Sequence, residues 1–197
     1  LPTIILLNIS DFIKHFWFIL FGGLLLIYLG YKRLEASHEG KMFLDRFKLS
    51  MPLLGPLITK TEIARFTRTL ATLLTNGVPI LEALNVVINI MENEVLKEDI
   101  RTAQKEVREG NALAVGLGKG AYFPAFVNNM ISVGEEGGAV EKALFKVATS
   151  YEREVDRAVK TMTSLLEPLM ILTLGSVIGF IVIAMLLPIF EISFVAK

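Results

Sequence analysis

Near the end of the chain, the 23 residues from Pro168 to Phe190 carry no charge and are flanked by Glu167 and Glu191. An α-helix rises about 1.5 Å per residue, so a helix of this length reaches roughly 34 Å, enough to cross a hydrocarbon core of about 30 Å. Lipid offers the backbone no hydrogen-bonding partner, so only a helix that satisfies its own backbone fits this stretch. The sequence therefore predicts a transmembrane helix over 168–190, followed by a tail over 191–197.

A second apolar stretch, from Phe16 to Tyr31, is also free of charge. It is short for a span, but Lys32 and Arg33 follow it, and their long side chains can reach back to the membrane interface. Aromatic residues suited to the interfaces lie near its ends: Trp17, Tyr28 and Tyr31. We expect a transmembrane helix over 16–31, with a buried helix of a soluble core as the alternative.

Charge is concentrated between these two stretches. The chain is 53% hydrophobic with a mean hydropathy of +0.56, yet 20% of its residues are charged. Of its 20 Lys and Arg residues, 18 lie between Lys32 and Lys160. Basic residues favour the cytoplasmic side of a span, so this block is predicted to be cytoplasmic in a multi-pass membrane protein. Residues 1–15 and 191–197 would then lie on the opposite side of the membrane.

Composition also excludes several functions. The net charge is zero, which argues against nucleic acid as a partner, because phosphate-binding surfaces are normally basic. The chain has no cysteine, which excludes disulfides, thiol catalysis and a thiolate zinc site. It starts with Leu1 rather than Met and has no signal peptide, so we expect it to be part of a longer protein.

The polar block shows helical periodicity and no alternation typical of β-strands. A surface helix and linker are expected over 32–58, with a short amphipathic helix along the membrane surface at 41–50, and a helical bundle is expected over 59–163. The predicted apolar stripes of the bundle are Ile63, Phe66, Leu70 and Leu73; Ile80, Leu84, Val87 and Met91; Leu96, Ile100, Ala103 and Val107; Phe126, Met130 and Val133; and Val140, Leu144, Val147 and Tyr151. The predicted fold is an all-α membrane protein, with a cytoplasmic antiparallel bundle of about six helices between two transmembrane helices.

Turn-forming residues mark the expected ends of these helices. The predicted ends are at Asn76 and Gly77, at Gly110, and at the glycines 134, 137 and 138; the predicted starts are at Pro79, Asn111 and Pro124. The last helix begins near Ala139 in this interpretation. Its stripe continues without a break toward the final apolar stretch, which predicts nearly one long helix.

Four sequence motifs occur in a fixed order. They are RFTRTLATLLTNGVPILEAL at 65–84, VGEEGG at 133–138, YEREVD at 151–156, and LLEPLMILTLG at 165–175 followed by LLPIFEI at 186–192. Together they resemble the inner-membrane platform proteins of type II secretion and type IV pilus assembly, the type II secretion system F domain. The ending LLPIFEI leans toward the secretion branch. Gly137 departs from the family's usual Ser, and Val140-Glu141 departs from its common Leu-Asp.

The resemblance implies a scaffold and not an enzyme. Members of that family have two similar cytoplasmic domains and three spans, so this chain resembles the second half. Such proteins couple a cytoplasmic secretion ATPase to pseudopilus assembly and protein export. The implied partners are the lipid bilayer, the secretion ATPase, pseudopilins, other inner-membrane platform proteins and further copies of the chain. A platform for type IV pilus assembly is the alternative.

Three carboxylates around the glycine turn are the candidate cation ligands: Glu135, Glu136 and Glu141. Oxygen ligands so placed could hold a hard divalent ion such as calcium. The alternative is a solvated acidic turn, which is favourable near a helix N-terminus. His15 and His38 each stand alone and have no metal-ligand spacing. No other cofactor is expected.

Two further sets of residues are candidates for binding. Arg65 and Arg68 share a helix face with three threonines and could receive an acidic partner, although a water-facing side is the alternative. Gly175 and Gly179 form a GxxxG pair that permits close approach of another helix, either the one containing Gly22 and Gly23 or one from another copy. Chance is the alternative, because glycine is frequent in membrane helices.

A membrane transporter or membrane-bound enzyme is the alternative of another class. A transporter should carry ionisable residues inside its spans, and neither 16–31 nor 168–190 contains one. The serines at 132, 150 and 164 have no histidine companion in the sequence, and GLGKGAYF at 116–123 lacks the spacing of a phosphate-binding loop. The platform interpretation is therefore favoured.

Overall fold

The computed structural model describes residues 18, 22–26, 28–30, 32–34 and 37–195, with side chains as far as Leu186. In these residues the regular structure is entirely helical, which confirms the prediction of an all-α chain. The helices are α1 (His38–Ser50), α2 (Leu54–Thr75), α3 (Ile80–Ile90), α4 (Glu94–Arg108), α5 (Leu113–Gly118), α6 (Ala125–Glu136) and α7 (Val140–Val195).

The chain divides into two compact units, and one of them, Leu34–Val159, holds most of the buried side chains. We call it the helical unit. Large side chains that are fully buried in it include Ile63, Phe66, Leu70, Leu84, Leu96, Ile100, Leu113, Leu117, Ile131 and Leu144. Every helix from α2 to α7 provides at least one of these side chains. Burying each of them contributes roughly 1.5–3 kcal/mol to the stability of the folded state.

The predicted stripes of α2, α3 and α4 face the core as expected. Helices α2 and α4 also end at the turn residues that the sequence predicts. Gly77 and Gly110 have φ angles of 81° and 91°, in the left-handed region that follows many helices and favours glycine. The start of α4 was not predicted: the Asn93 side chain accepts hydrogen bonds from the backbone N–H groups of Val95 and Leu96, at 3.0 and 3.3 Å.

The predicted core face of α6 is wrong for two of its three residues. Phe126 and Val133 are 51% and 68% exposed, whereas Val127 and Ile131 are fully buried. The third predicted residue, Met130, is partly buried against the core. Gly134, a predicted helix end, lies inside α6 and is buried there. A Cβ at this glycine would lie 2.5 Å from the Cβ of Ala143, so α6 approaches α7 closely on its small-residue side. Both faces have apolar residues at helical spacing, so periodicity could not choose between them.

The helical unit begins earlier than the predicted start near Thr59. Helix α2 starts at Leu54 and includes Pro56 in its first turn. Proline is tolerated there because the first N–H groups of a helix have no partner within the helix. Helix α1 belongs to the same unit, whereas the sequence placed it in a separate surface segment. Helix α5 starts one residue later than predicted, with Ala112 rather than Asn111 at its cap position.

The last helix continues from Val140 through Pro168 to Val195, as the uninterrupted stripe predicts. It is the one helix in the described residues that is long and apolar enough to cross a membrane. Most of its apolar side chains between 165 and 186 are exposed. Of the predicted first span over 16–31, residues 18, 22–26 and 28–30 are described and are helical, and the others lie outside the described residues. Residues 1–15 and the side chains after 186 also lie outside them.

Candidate partner-binding surface

Arg68 joins α2 to α7. Its guanidinium donates to both carboxylate oxygens of Glu152, with Nε 2.8 Å from Oε1, and to Thr149 Oγ1 at 3.1 Å. It also lies 5.3 Å from the centre of the Phe145 ring. The hydrogen bond from Arg68 holds the pKa of the Glu152 carboxyl below its ordinary value. Arg68 is therefore occupied by its own chain.

Arg65 also binds carboxylates of its own chain. Its Nη1 lies 3.1 Å from Oε1 of Glu62 and 2.9 Å from Oε1 of Glu92. Glu62 is almost completely buried and accepts a further hydrogen bond from the Glu92 backbone N–H at 3.2 Å. Burial raises the pKa of Glu62 even though Arg65 opposes the shift. Arg65 therefore compensates a buried carboxylate, and the sequence pattern gave no sign of this role.

The start of α4 is held by a polar cluster that reaches α1. Asp45, which is 4% exposed, accepts a hydrogen bond at 3.0 Å from the backbone N–H of Glu94. The Oε1 atom of the Glu94 carboxylate lies 3.0 Å from Nζ of Lys41 and 2.7 Å from Nζ of Lys97, and forms an ion pair with each. Burial works against the charged form of Glu94, but these two lysines outweigh it and lower its pKa. The cluster fixes α1 to α4.

Glu135 caps α5 from the end of α6. Its two carboxylate oxygens accept hydrogen bonds from the backbone N–H groups of Leu113, at 2.6 Å, and Ala114, at 3.0 Å. Negative charge is favourable at a helix N-terminus, where these N–H groups have no partner within the helix. The neighbouring Glu136 instead accepts from the Ser132 hydroxyl at 3.2 Å. Glu141 lies in the first turn of α7. In the described residues, acidic and histidine side chains form no group of three that could hold a metal ion.

The capping role of Glu135 can be tested against its neighbour. We expect Glu135→Gln to lower the free energy of unfolding by about 1–2 kcal/mol, because it removes the charge and one of the two acceptors. Glu136→Gln, with the same chemical change, should alter it by less than about 0.5 kcal/mol. Urea unfolding followed by circular dichroism measures both. If calcium raised the midpoint of the wild type but not of Glu135→Gln, the carboxylate would serve a cation instead.

Two exposed cations of α4 remain available to a partner. Arg101 is paired with Glu98 at 3.1 Å. Lys105 and Arg108, at helical spacing from it, are exposed and form no ion pair with any described residue.

The predicted glycine contact does not occur within the described chain. Apart from the neighbouring residues and the backbone of the same helix, no described heavy atom lies within 4 Å of the position that a Cβ would take at Gly175 or Gly179, or at Gly22 or Gly23. The close packing of these glycines therefore stays a prediction, and it requires a helix outside the described residues.

Comparison with known proteins gives the family. The family profile described as "Type II secretion system (T2SS), protein F" matches residues 66–188, more than half of the chain. The type IV pilus assembly protein PilC of Thermus thermophilus is 39% identical over 193 residues, which cover 98% of this chain and 48% of that protein. The type II secretion system protein F of Xanthomonas campestris is 37% identical over 189 residues, covering 95% of this chain and 46% of that protein. The chain belongs to the type II secretion system protein F family.

The same relatives set a limit on what can be assigned. The chain spans about half the length of the curated relatives it matches and corresponds to their second half. The type IV pilus assembly protein TapC of Aeromonas hydrophila is 38% identical, covering 97% of this chain and 46% of that protein. Proteins named for pilus assembly and for type II secretion therefore match the chain at similar identity. The comparisons therefore do not decide between the two systems, and the lean of the motif at 186–192 toward secretion stays a prediction.

Proposed function

We propose that the chain is part of a non-catalytic platform protein in the bacterial inner membrane, which supports the assembly of a pilus or pseudopilus. The family match carries the proposal, because it extends over most of the helical unit and the apolar part of α7. The length and hydropathy of α7 support a membrane location. The proposal covers both type II secretion and type IV pilus assembly, with pilins or pseudopilins as the assembled subunits.

The charged residues support a scaffold role rather than catalysis. The polar groups that the sequence singled out bind other groups of the same chain. Arg68 binds α7, Arg65 binds Glu62 of its own helix and Glu92 between α3 and α4, and Glu135 caps α5. A catalytic acid or base would instead be directed at a substrate-sized cavity. In our proposal these groups stiffen a surface on which other proteins assemble.

The proposed topology places the helical unit in the cytoplasm, between spans over 16–31 and 168–190. The basic residues beside both predicted spans support it. The unit would then be accessible to a cytoplasmic ATPase, while the segments 1–15 and 191–197 would face the periplasm. Other platform proteins and further copies of the chain would meet it within the membrane.

For the ATPase contact we propose Lys105 and Arg108 of α4, rather than Arg65 and Arg68. The arginines of α2 are occupied by Glu62, Glu92 and Glu152, whereas the two α4 side chains are exposed. Exposed charges at an interface mainly raise the association rate and make binding depend on salt. A weak, salt-sensitive contact with an acidic surface is what a moving assembly machine requires.

Reversing these charges tests the proposal. Lys105→Glu with Arg108→Glu should weaken ATPase binding and reduce secretion or piliation in the host, without changing the thermal midpoint. Lys142→Glu with Lys146→Glu makes the same change of net charge at exposed positions of α7 and serves as the control. Scoring secreted proteins and surface pili separately would assign the system. Full assembly in the α4 variant would exclude α4 as the docking surface, and loss in both variants would point to net charge alone.

A further inference from the structure

Helix α1 packs against the other helices of the helical unit with Asp45 buried and Leu49 partly buried against the core. Asp45 is 4% exposed, whereas Phe43 and Phe47, one helical turn apart, are 68% and 55% exposed. A helix on the surface of a soluble domain normally shows the reverse arrangement, with apolar side chains inward. The outward direction of two phenylalanines on one short helix therefore requires an explanation.

The rotation of α1 is fixed, so the aromatic face cannot turn inward. Asp45 accepts from the Glu94 backbone N–H at 3.0 Å and from the Lys48 ammonium at 3.1 Å. Lys41 binds the Glu94 carboxylate at 3.0 Å. Rolling the helix would leave a buried carboxylate and a helix N-terminus without their partners, which is strongly unfavourable.

The exposed face continues beyond the helix and carries positive charge. Leu53 and Leu54, just after α1, are 69% and 46% exposed. Arg46 is exposed between the two phenylalanines, and no exposed residue between 43 and 54 is acidic. Aromatic and aliphatic side chains with a cation at their edge suit the boundary between headgroups and acyl chains of an anionic membrane.

The position of α1 in the chain brings this face close to a bilayer. The first predicted span ends at Tyr31, and α1 begins seven residues later at His38. Seven residues reach at most about 25 Å when fully extended. We propose that α1 lies in the cytoplasmic interface of an anionic membrane, with Phe43, Phe47, Leu53 and Leu54 as its lipid-facing patch and Arg46 at the headgroups. The inference rests on the membrane location proposed above.

Fluorescence quenching by brominated lipid tests this assignment in the full chain. Trp17 is the one tryptophan of the sequence, so Trp17→Phe gives a background without tryptophan. Single tryptophans are then introduced as Phe43→Trp in the patch, Leu172→Trp in the predicted final span, and Val133→Trp on α6. Val133 is 68% exposed, the same as Phe43, and is the matched control. Each variant is reconstituted into vesicles of phosphatidylethanolamine and phosphatidylglycerol, with bromine placed near the headgroup or near the end of the acyl chain.

We expect strong quenching at 172 and at 43 and little at 133, with position 43 quenched most by bromine near the headgroup. Arg46→Glu should reduce quenching at 43 in anionic vesicles but not in vesicles of phosphatidylcholine. Quenching at 172 alone would overturn the assignment of α1 and leave the membrane location standing. No quenching at 172 would overturn the membrane location and this inference with it.

Two other results would assign the patch differently. Equal quenching at 43 and 133 would mean that lipid contacts the helical unit without preference for α1. An unquenched position 43, together with efficient disulfide-linked dimers of a Phe47→Cys variant, would mean that a second copy covers the patch.

Discussion

A fragment of residues 34–159 is expected to unfold cooperatively as an independent helical unit, whereas a fragment of residues 59–163 should be less stable by about 3–5 kcal/mol or more. The shorter start removes α1 and the first five residues of α2. Without Asp45 and Lys41, the backbone N–H and the carboxylate of Glu94 lose their partners. The total free energy of unfolding of a domain of this size is about 5–15 kcal/mol, so the shorter fragment should lose much of its stability.

Urea unfolding followed by circular dichroism measures this difference. A third fragment, residues 34–163, separates the two ends, because it differs from 34–159 only at the end of the chain. It should unfold at the same urea concentration as 34–159. Equal midpoints for 59–163 and 34–159 would show that α1 contributes nothing to the unit, and would also remove the basis for its fixed orientation.

Phe66→Ala should lower the free energy of unfolding of the 34–159 fragment by about 3–5 kcal/mol. Phe66 is fully buried on α2, and its ring meets Phe123 edge to face, with ring centres 5.3 Å apart and planes at 74°. Truncation removes the burial of a large side chain, leaves a cavity and breaks an aromatic pair.

Phe126→Ala is the matched control, because it makes the same truncation where the ring is 51% exposed. Its ring centre lies 6.5 Å from that of Tyr151, so we expect a loss of less than about 1 kcal/mol. The opposite ranking of the two variants would restore the face of α6 that the sequence predicted and would contradict the packing described here.

The features that were predictable from the sequence are those set by neighbours along the chain. The stripes of α2 to α4 follow from a period of 3.6 residues, and Gly77 and Gly110 follow from the left-handed turn that ends a helix. The uncharged stretch at 168–190 was evident from its length alone. The family was evident from four ordered motifs.

Apart from the Asn93 cap of α4, which is local, most features that were missed depend on contacts between distant residues. Glu135 caps a helix that begins 22 residues before it, and Asp45 accepts from a backbone group 49 residues away. Arg65 and Arg68 looked like outward charges because Glu92 and Glu152, which bind them, lie in other parts of the chain, and because the burial of Glu62, three residues before Arg65, is not visible in the sequence. No local pattern distinguishes such a carboxylate from a solvated one or from a metal ligand.

The contact between Arg68 and Glu152 also constrains when the helical unit can finish folding during synthesis. Its two residues are 84 positions apart, so this ion pair cannot form until the chain has been synthesised through Glu152. The ribosome adds about 5–20 residues per second, so the apolar stretch that starts at Pro168 follows Glu152 by roughly one to three seconds. The helical unit therefore acquires its last helix almost as the apolar segment is produced, and membrane insertion and the closing of the core become nearly simultaneous events.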